Sequence, residues 1–240
     1  MSDILLVHGT SHGAWCFRDL IPALEALGHT ARAIDMPSHG NDTTPVEDVT
    51  LDSCAQSIID ALGEDTVVLG HSWGGFPITR AADMAHETGQ NKIARLIYLC
   101  AYAPWDGYSL AEMRRAAPRQ PLMKAVRKSA DGFSYTIDPA QVRDAFYHDC
   151  PDGTADFALA HLTPQSIAAQ ETKITLGDGH RQIPRSYIRC ADDQTIPPEF
   201  QVTMTEDWPK ADVYEMPTSH SPFFADPTGL AALIDQILKD

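Results

Sequence analysis

Cysteine is scarce and unpaired in this 240-residue chain. Cys16, Cys54, Cys100, Cys150 and Cys190 are odd in number and far apart, with no C-x-x-C spacing, so neither a zinc knuckle nor a disulfide framework is indicated. Long apolar runs are missing as well, none approaching the ~18 residues of a membrane-spanning helix. Met1-Ser2-Asp3 leads straight into Ile4-Leu5-Leu6-Val7, too little for a secretory signal peptide. Basic residues are few, 18 against 33 acidic ones, giving a formal net charge of −15. That excess repels phosphate backbones and anionic lipid, which excludes nucleic acid and membrane surfaces as partners. Internal repeats and low-complexity tracts are absent. A soluble, cytoplasmic globular protein is the expectation.

What is present is a recurring alternation. Short apolar runs at Ile4–Val7, Thr30–Ile34, Thr66–Leu69, Ile93–Cys100, Ser186–Cys190 and Ala211–Met216 read as buried strands. Helical spacing of apolar residues marks Phe17–Leu27, Leu51–Leu62 and Trp73–Glu87 between the early ones. The last helix is the best delimited, with Asp226 as N-cap, Pro227 at the first helical position and a stripe of Leu230, Leu233, Ile234, Ile237 and Leu238. Alternating strands and helices imply an α/β fold, a parallel sheet covered on both faces. From Pro104 to Pro184 the alternation stops. No convincing strand is seen there, only short amphipathic pieces at Leu110–Ala117, Pro139–Tyr147, Thr154–Ala160 and Pro164–Gln170. Residues 1–103 and 185–240 are therefore expected to form the core, and 104–184 a helical cap roofing the C-terminal edge of the sheet, where such sheets bind ligands.

One motif carries chemistry. The strand from Val67 ends in Gly70-His71-Ser72-Trp73-Gly74-Gly75, a G-x-S-x-G elbow between strand and helix. The turn crowds the positions two residues either side of Ser72, and glycine at 70 and 74 relieves that crowding. Ser72 is thereby presented as a nucleophile.

A serine hydroxyl needs a base within hydrogen-bond reach and a third group to orient that base. His220 alone among ten histidines follows the last strand and precedes the last helix, in a loop bracketed by Pro217 and Pro222. For the acid, Asp192 and Asp193 both follow the strand ending at Cys190. Asp193 is preferred because it opens the D-x-x-x-P run to Pro197. Asp106 is a distant third, and Asp35 reads as loop-shaping. Two backbone donors must hold the oxyanion. Trp73 N–H is one, and Thr10 N–H, in His8-Gly9-Thr10-Ser11-His12-Gly13, is the other. His8 and His12 are four apart, but no third ligand follows, so no metal is expected. His71 reads as structural.

The stretches Leu5–Trp15, Leu24–His29, the elbow, Ala101–Pro104, Phe146–Pro151 and Ile196–Gln201 together resemble the plant methyl esterase and hydroxynitrile lyase branch of the α/β-hydrolases. The resemblance spans nearly the whole chain. It implies Ser72, Asp193 and His220 as a triad, Thr10 and Trp73 at the oxyanion positions, a six-stranded sheet with a small cap, no cofactor, and a homodimer. Lyases of this branch carry threonine where Gly9 stands and lysine where Ser221 stands. Neither is present, so hydrolysis of a small carboxylic ester, aromatic or cyclic in its acid part, is the leading expectation. Lyase, carbon–carbon or lactone cleavage on the same triad, and a ligand receptor, are the alternatives. Trp73 and the stretch Arg114–Lys128 depart from the branch pattern. Gly9, Tyr102, Trp105 and Phe223 are candidate pocket residues.

Overall fold

Nine strands organise the computed structural model, which describes residues 1–239. They are β1 (Asp3–Val7), β2 (Thr30–Ile34), β3 (Thr66–His71), β4 (Ile93–Leu99), β5 (Val126–Lys128), β6 (Ser134–Ile137), β7 (Gln165–Ser166), β8 (Arg185–Cys190) and β9 (Val213–Met216). Six of them form one sheet in the order β2-β1-β3-β4-β8-β9, with every neighbouring pair parallel. This is the parallel α/β sheet expected from the alternation, with the six strands that the resemblance implies.

Alternation of side chains along each strand divides the core in two. Ile4, Leu6, Val67, Leu69, Ile97 and Leu99 face one side and pack with Leu20, Leu24, Leu230 and Ile234 from the helices Leu20–Ala26 and Pro227–Ile237. Leu5, Val7, Val68, Leu96 and Tyr98 face the other and meet Leu51, Ile58, Ile78 and Ala82 from Leu51–Asp60 and Gly75–Glu87. Each leucine or isoleucine enclosed this way contributes ~1.5–3 kcal/mol relative to an exposed one. Helix ends follow their chemistry. Thr50 and Ser53 form a capping box at the start of Leu51–Asp60, and Asp226 caps the last helix by accepting from Gly229 N–H at 2.9 Å. No helix among the described residues is long and apolar enough to cross a membrane.

The segment between β4 and β8 is not wholly helical. It holds helices at Leu110–Ala116, Val142–Phe146, Thr154–Leu159 and Ile167–Glu171, but also the antiparallel sheet β5-β6-β7. The expectation of a cap without strands is corrected by this. β5 and β7 have three and two residues, too few for alternation to register in sequence. The pairing nonetheless matters for the site, because β7 carries Gln165 to the loop after β1.

Candidate active site

Ser72 sits where β3 gives way to the helix Gly75–Glu87, with φ of +56°. A non-glycine residue held there costs ~1–3 kcal/mol, so the surroundings must enforce it. They do so by contact. A Cβ on Gly70 would lie 2.7 Å from the Gly74 carbonyl, and one on Gly74 would lie 2.9 Å from the carbonyls of Val7 and His8. The elbow is thus pressed onto the end of β1, and only glycine fits at either flank. Tyr102 N–H donates to the Ser72 carbonyl at 3.0 Å and closes the turn from the β4 side.

His220 lies after β9 and is buried. Its Nδ1 is 2.7 Å from Oδ2 of Asp193, which is wholly enclosed. Asp193 also accepts from Thr195 N–H at 2.6 Å, Ile196 N–H at 2.9 Å and Gln201 Nε2 at 2.9 Å. Every lone-pair direction of this carboxylate is directed, which fixes the imidazole plane. Asp192, the neighbour that sequence left in contention, is exposed and meets Thr218 only through its backbone. Asp106 accepts from Leu176 N–H in the cap, and Asp35 accepts from Ala14 and Asn41, shaping the loops as expected. Nε2 of His220 is buried and makes no hydrogen bond, to Ser72 or to any other group. An orphaned buried nitrogen costs ~1–3 kcal/mol unless a function uses it.

The loop after β1 is built from neutral histidines. His12 Nδ1 faces the Thr10 carbonyl at 2.7 Å and so must carry the proton, which leaves Nε2 to accept from the Tyr147 hydroxyl at 2.6 Å. Burial pushes the His12 pKa down to about 4, against the opposing hydrogen bond to Thr10. His8 likewise faces the Gly9 carbonyl with Nδ1 and accepts Met36 N–H with Nε2, and burial lowers its pKa well below the ordinary histidine value. All four nitrogens are occupied, so this pair has none left for a metal. Thr10 is fixed a second time, by Gln170 Nε2 donating to its Oγ1 at 2.8 Å. Ser11 N–H donates to Gln165 Oε1 at 3.1 Å.

His71, Cys100 and His220 bring donor atoms within 4.8 Å of one another. His71 Nε2 donates to the His220 carbonyl at 2.8 Å, and the Cys100 thiol points at the same carbonyl at 3.5 Å. Burial holds that thiol protonated. The trio is an anchor for the His220 loop.

The four pocket candidates separate. Gly9 abuts the elbow, where a Cβ would lie 2.7 Å from Ser72 Cβ. Tyr102 is buried beside Phe200. Trp105 lines a different cavity, with Tyr98, Arg185 and Trp208, in which neither Ser72 nor His220 takes part. Phe223 is enclosed by Phe17, His71 and Phe224, so it backs the imidazole of His71 from within the core. Sequence reasoning missed Gln201, Gln170, Tyr147 and the anchoring role of His71. Only Gln201 had a signal, a glutamine eight residues after Asp193 on the first turn of the helix Pro198–Met204.

The chain as a whole is similar to known proteins. A model described as the alpha/beta hydrolase family matches residues 4–233. Methylesterase 17 of Arabidopsis thaliana is 30% identical over 96% of this chain and 89% of its own. Methylesterase 1 of the same plant is 30% identical over 98% and 94%. The crystal structure of a pyrethroid hydrolase from Sphingobium faniae JZ-2 superposes with a TM-score of 0.84 at 25% identity, covering 99% of this chain and 97% of that one. The methyl esterase resemblance drawn from sequence agrees with these relatives. With the elbow, sheet order and full-length matches together, this chain belongs to the alpha/beta hydrolase family, among its carboxylesterase-type hydrolases.

Proposed function

We propose that this chain hydrolyses small carboxylic esters through an acyl-enzyme on Ser72, with His220 as general base and Asp193 orienting it. The observation that carries the reading is the 2.7 Å contact between His220 Nδ1 and a fully enclosed Asp193, which leaves Nε2 unpartnered. Nε2 takes the Ser72 proton as Oγ attacks the ester carbonyl. The Thr10 and Trp73 N–H groups hold the resulting oxyanion, an interaction worth ~10²–10³ in rate per donor. His220 then protonates the departing alcohol, and water, activated by the same nitrogen, releases the acid. Asp193 stabilises the transient imidazolium without taking its proton.

The relatives are named for methyl esters and pyrethroids, which supports an ester with a small alcohol or a bulky hydrophobic acid. The lyase alternative meets a steric objection. A side chain at position 9 would have Cβ 2.7 Å from Ser72 Cβ and 2.9 Å from His71 Nδ1, so the lyase threonine has no room there. Ser221, where the lyases carry lysine, is fully enclosed and supplies no cation.

A fluorophosphonate probe and a panel of methyl and nitrophenyl esters test the proposal. Ser72→Ala is expected to lose both covalent labelling and turnover while keeping its fold. Labelling that persists at another serine overturns the assignment, and binding of esters with no turnover by the unaltered protein favours a receptor. Cyanide release from mandelonitrile that is lost in Ser72→Ala restores the lyase.

A further inference from the structure

Six of the eighteen basic residues fall between Arg114 and Lys128, fifteen residues with no Asp or Glu, in a chain that is otherwise strongly acidic. This run lies in the cap, from the end of the helix Leu110–Ala116 to β5. It walls a cavity of about 210 Å³ in which Arg114, Arg115 and Lys128 face a single acid, Glu171. The remaining wall includes Tyr135 and Gln170 and an apolar portion from Ile167.

Arg114 is the distinctive member. Its Nε is buried without a hydrogen-bond partner, and no described carboxylate pairs with it. Burial raises the pKa of the Tyr135 and Tyr102 hydroxyls, and the Arg114 guanidinium opposes that rise at both. A half-enclosed guanidinium lacking a counter-ion is a standing demand for a planar anion, which its fork of donors binds in two-point fashion. Arg119 and Arg127 of the same run are already paired, with Glu199 and Asp138.

Neither Ser72 nor His220 lines this cavity, but a hydrogen-bond chain ties its wall to the loop after β1. Tyr135 OH donates to Gln170 Oε1 at 2.8 Å, and Gln170 Nε2 donates to Thr10 Oγ1 at 2.8 Å. The inner wall of the cationic cavity is therefore the support of the proposed oxyanion loop. We infer that this cavity is a carboxylate subsite, and that the preferred substrates are esters bearing a second, free carboxylate, such as monoesters of dicarboxylic acids, with Arg114 as the group that binds it. This rests on the ester-hydrolase reading. A surface of net charge −15 repels such anions, so selectivity for them requires a local cation of this kind.

The test compares monomethyl and dimethyl esters of the dicarboxylic acids from succinate to suberate at fixed ionic strength. The monoester of the best-fitting length is expected to lead its dimethyl counterpart by about tenfold or more in kcat/KM, chiefly through KM. Arg114→Gln should bring that ratio to within about twofold, and Arg114→Lys should keep part of it. Lys124→Gln, in the same run but outside the cavity, should leave the ratio intact. Equal loss in Lys124→Gln and Arg114→Gln overturns the subsite in favour of general charge attraction. Noncompetitive inhibition of a neutral ester by free adipate overturns it in favour of an effector site. Calorimetry of adipate with Ser72→Ala, with and without Arg114→Gln, reads the subsite apart from turnover. Binding lost with Arg114 supports it even if no ester is cleaved, whereas efficient neutral-ester cleavage with no adipate binding removes the subsite and leaves the esterase.

Discussion

His71 Nε2 donates to the backbone carbonyl of His220 at 2.8 Å, with the two rings 4.6 Å apart. The residue that precedes the serine in the elbow therefore holds the loop that bears the proposed base. Burial, with the neighbouring His220 adding to it, keeps the His71 pKa well below the ordinary value, so the anchor stays neutral. The register between nucleophile and base is thus set through the backbone, before any substrate arrives.

The two neighbouring aspartates should separate cleanly in kinetics. Asp193→Asn leaves a group that donates toward Nδ1 and selects the wrong tautomer, so kcat should fall by about 10⁴. Asp192→Asn, at an exposed position, should stay within a few-fold of the unaltered protein. Steady-state rates on one methyl ester decide it, and the reverse ranking moves the role to Asp192.

Gly9→Ala should fold and yet lose roughly 10²-fold or more in kcat, the cost of one displaced oxyanion donor. Its Cβ would require the elbow or His71 to move, because both lie within 3 Å. Retained activity would mean that the loop yields freely, and would remove the steric case against a lyase.

Acid should destabilise the fold before the carboxylates titrate. Burial holds the His12 pKa at about 4 in the fold against 6.5 for an ordinary histidine, so the unfolded chain binds more protons between those limits. Stability therefore rises with pH across that window and is lost as pH falls from 6.5 towards 4, by up to ~3 kcal/mol for His12. Burial shifts His8, His39 and His71 in the same direction. Urea midpoints at pH 7, 6 and 5 should fall in that order, and His12→Gln should flatten the slope. A flat or rising series would contradict the neutral-histidine loop.

Tyr147→Phe should leave His12 Nε2 without its donor, an orphan worth ~1–3 kcal/mol. A lowered urea midpoint with a drop in kcat, rescued at neither pH 6 nor pH 8, is the expected pattern. An unchanged midpoint would show that solvent replaces the hydroxyl.

The sheet was legible because its strands are buried on both faces, which writes them as continuous apolar runs such as Thr66–Leu69. The elbow at Ser72 and the loop that carries His220 were legible because their surroundings are local: glycines two residues away, and a stretch between the last strand and the last helix. Asp193 against Asp192 was not decided by local chemistry, since two adjacent carboxylates differ only in which one the fold encloses. The supports were the least legible. Gln170 reaches Thr10 across 160 residues and Tyr147 reaches His12 across 135, and neither leaves a trace in composition or period. The cap strands escaped for a related reason, since β7 is two polar residues whose partner lies some thirty positions earlier.

β7 and the helix after it have a consequence for exchanging the segment between β4 and β8. Gln165 and Gln170, both cap residues, hold Ser11 and Thr10 of the core, and Thr163 N–H donates to the Ser11 carbonyl. The segment between β4 and β8 is not a removable module set beside a finished core. A chimera that exchanges residues 104–184 for those of a relative would trade away the scaffolding of the loop beneath. Grafts that carry residues 8–13 along with that segment should retain turnover where grafts of the segment alone fail.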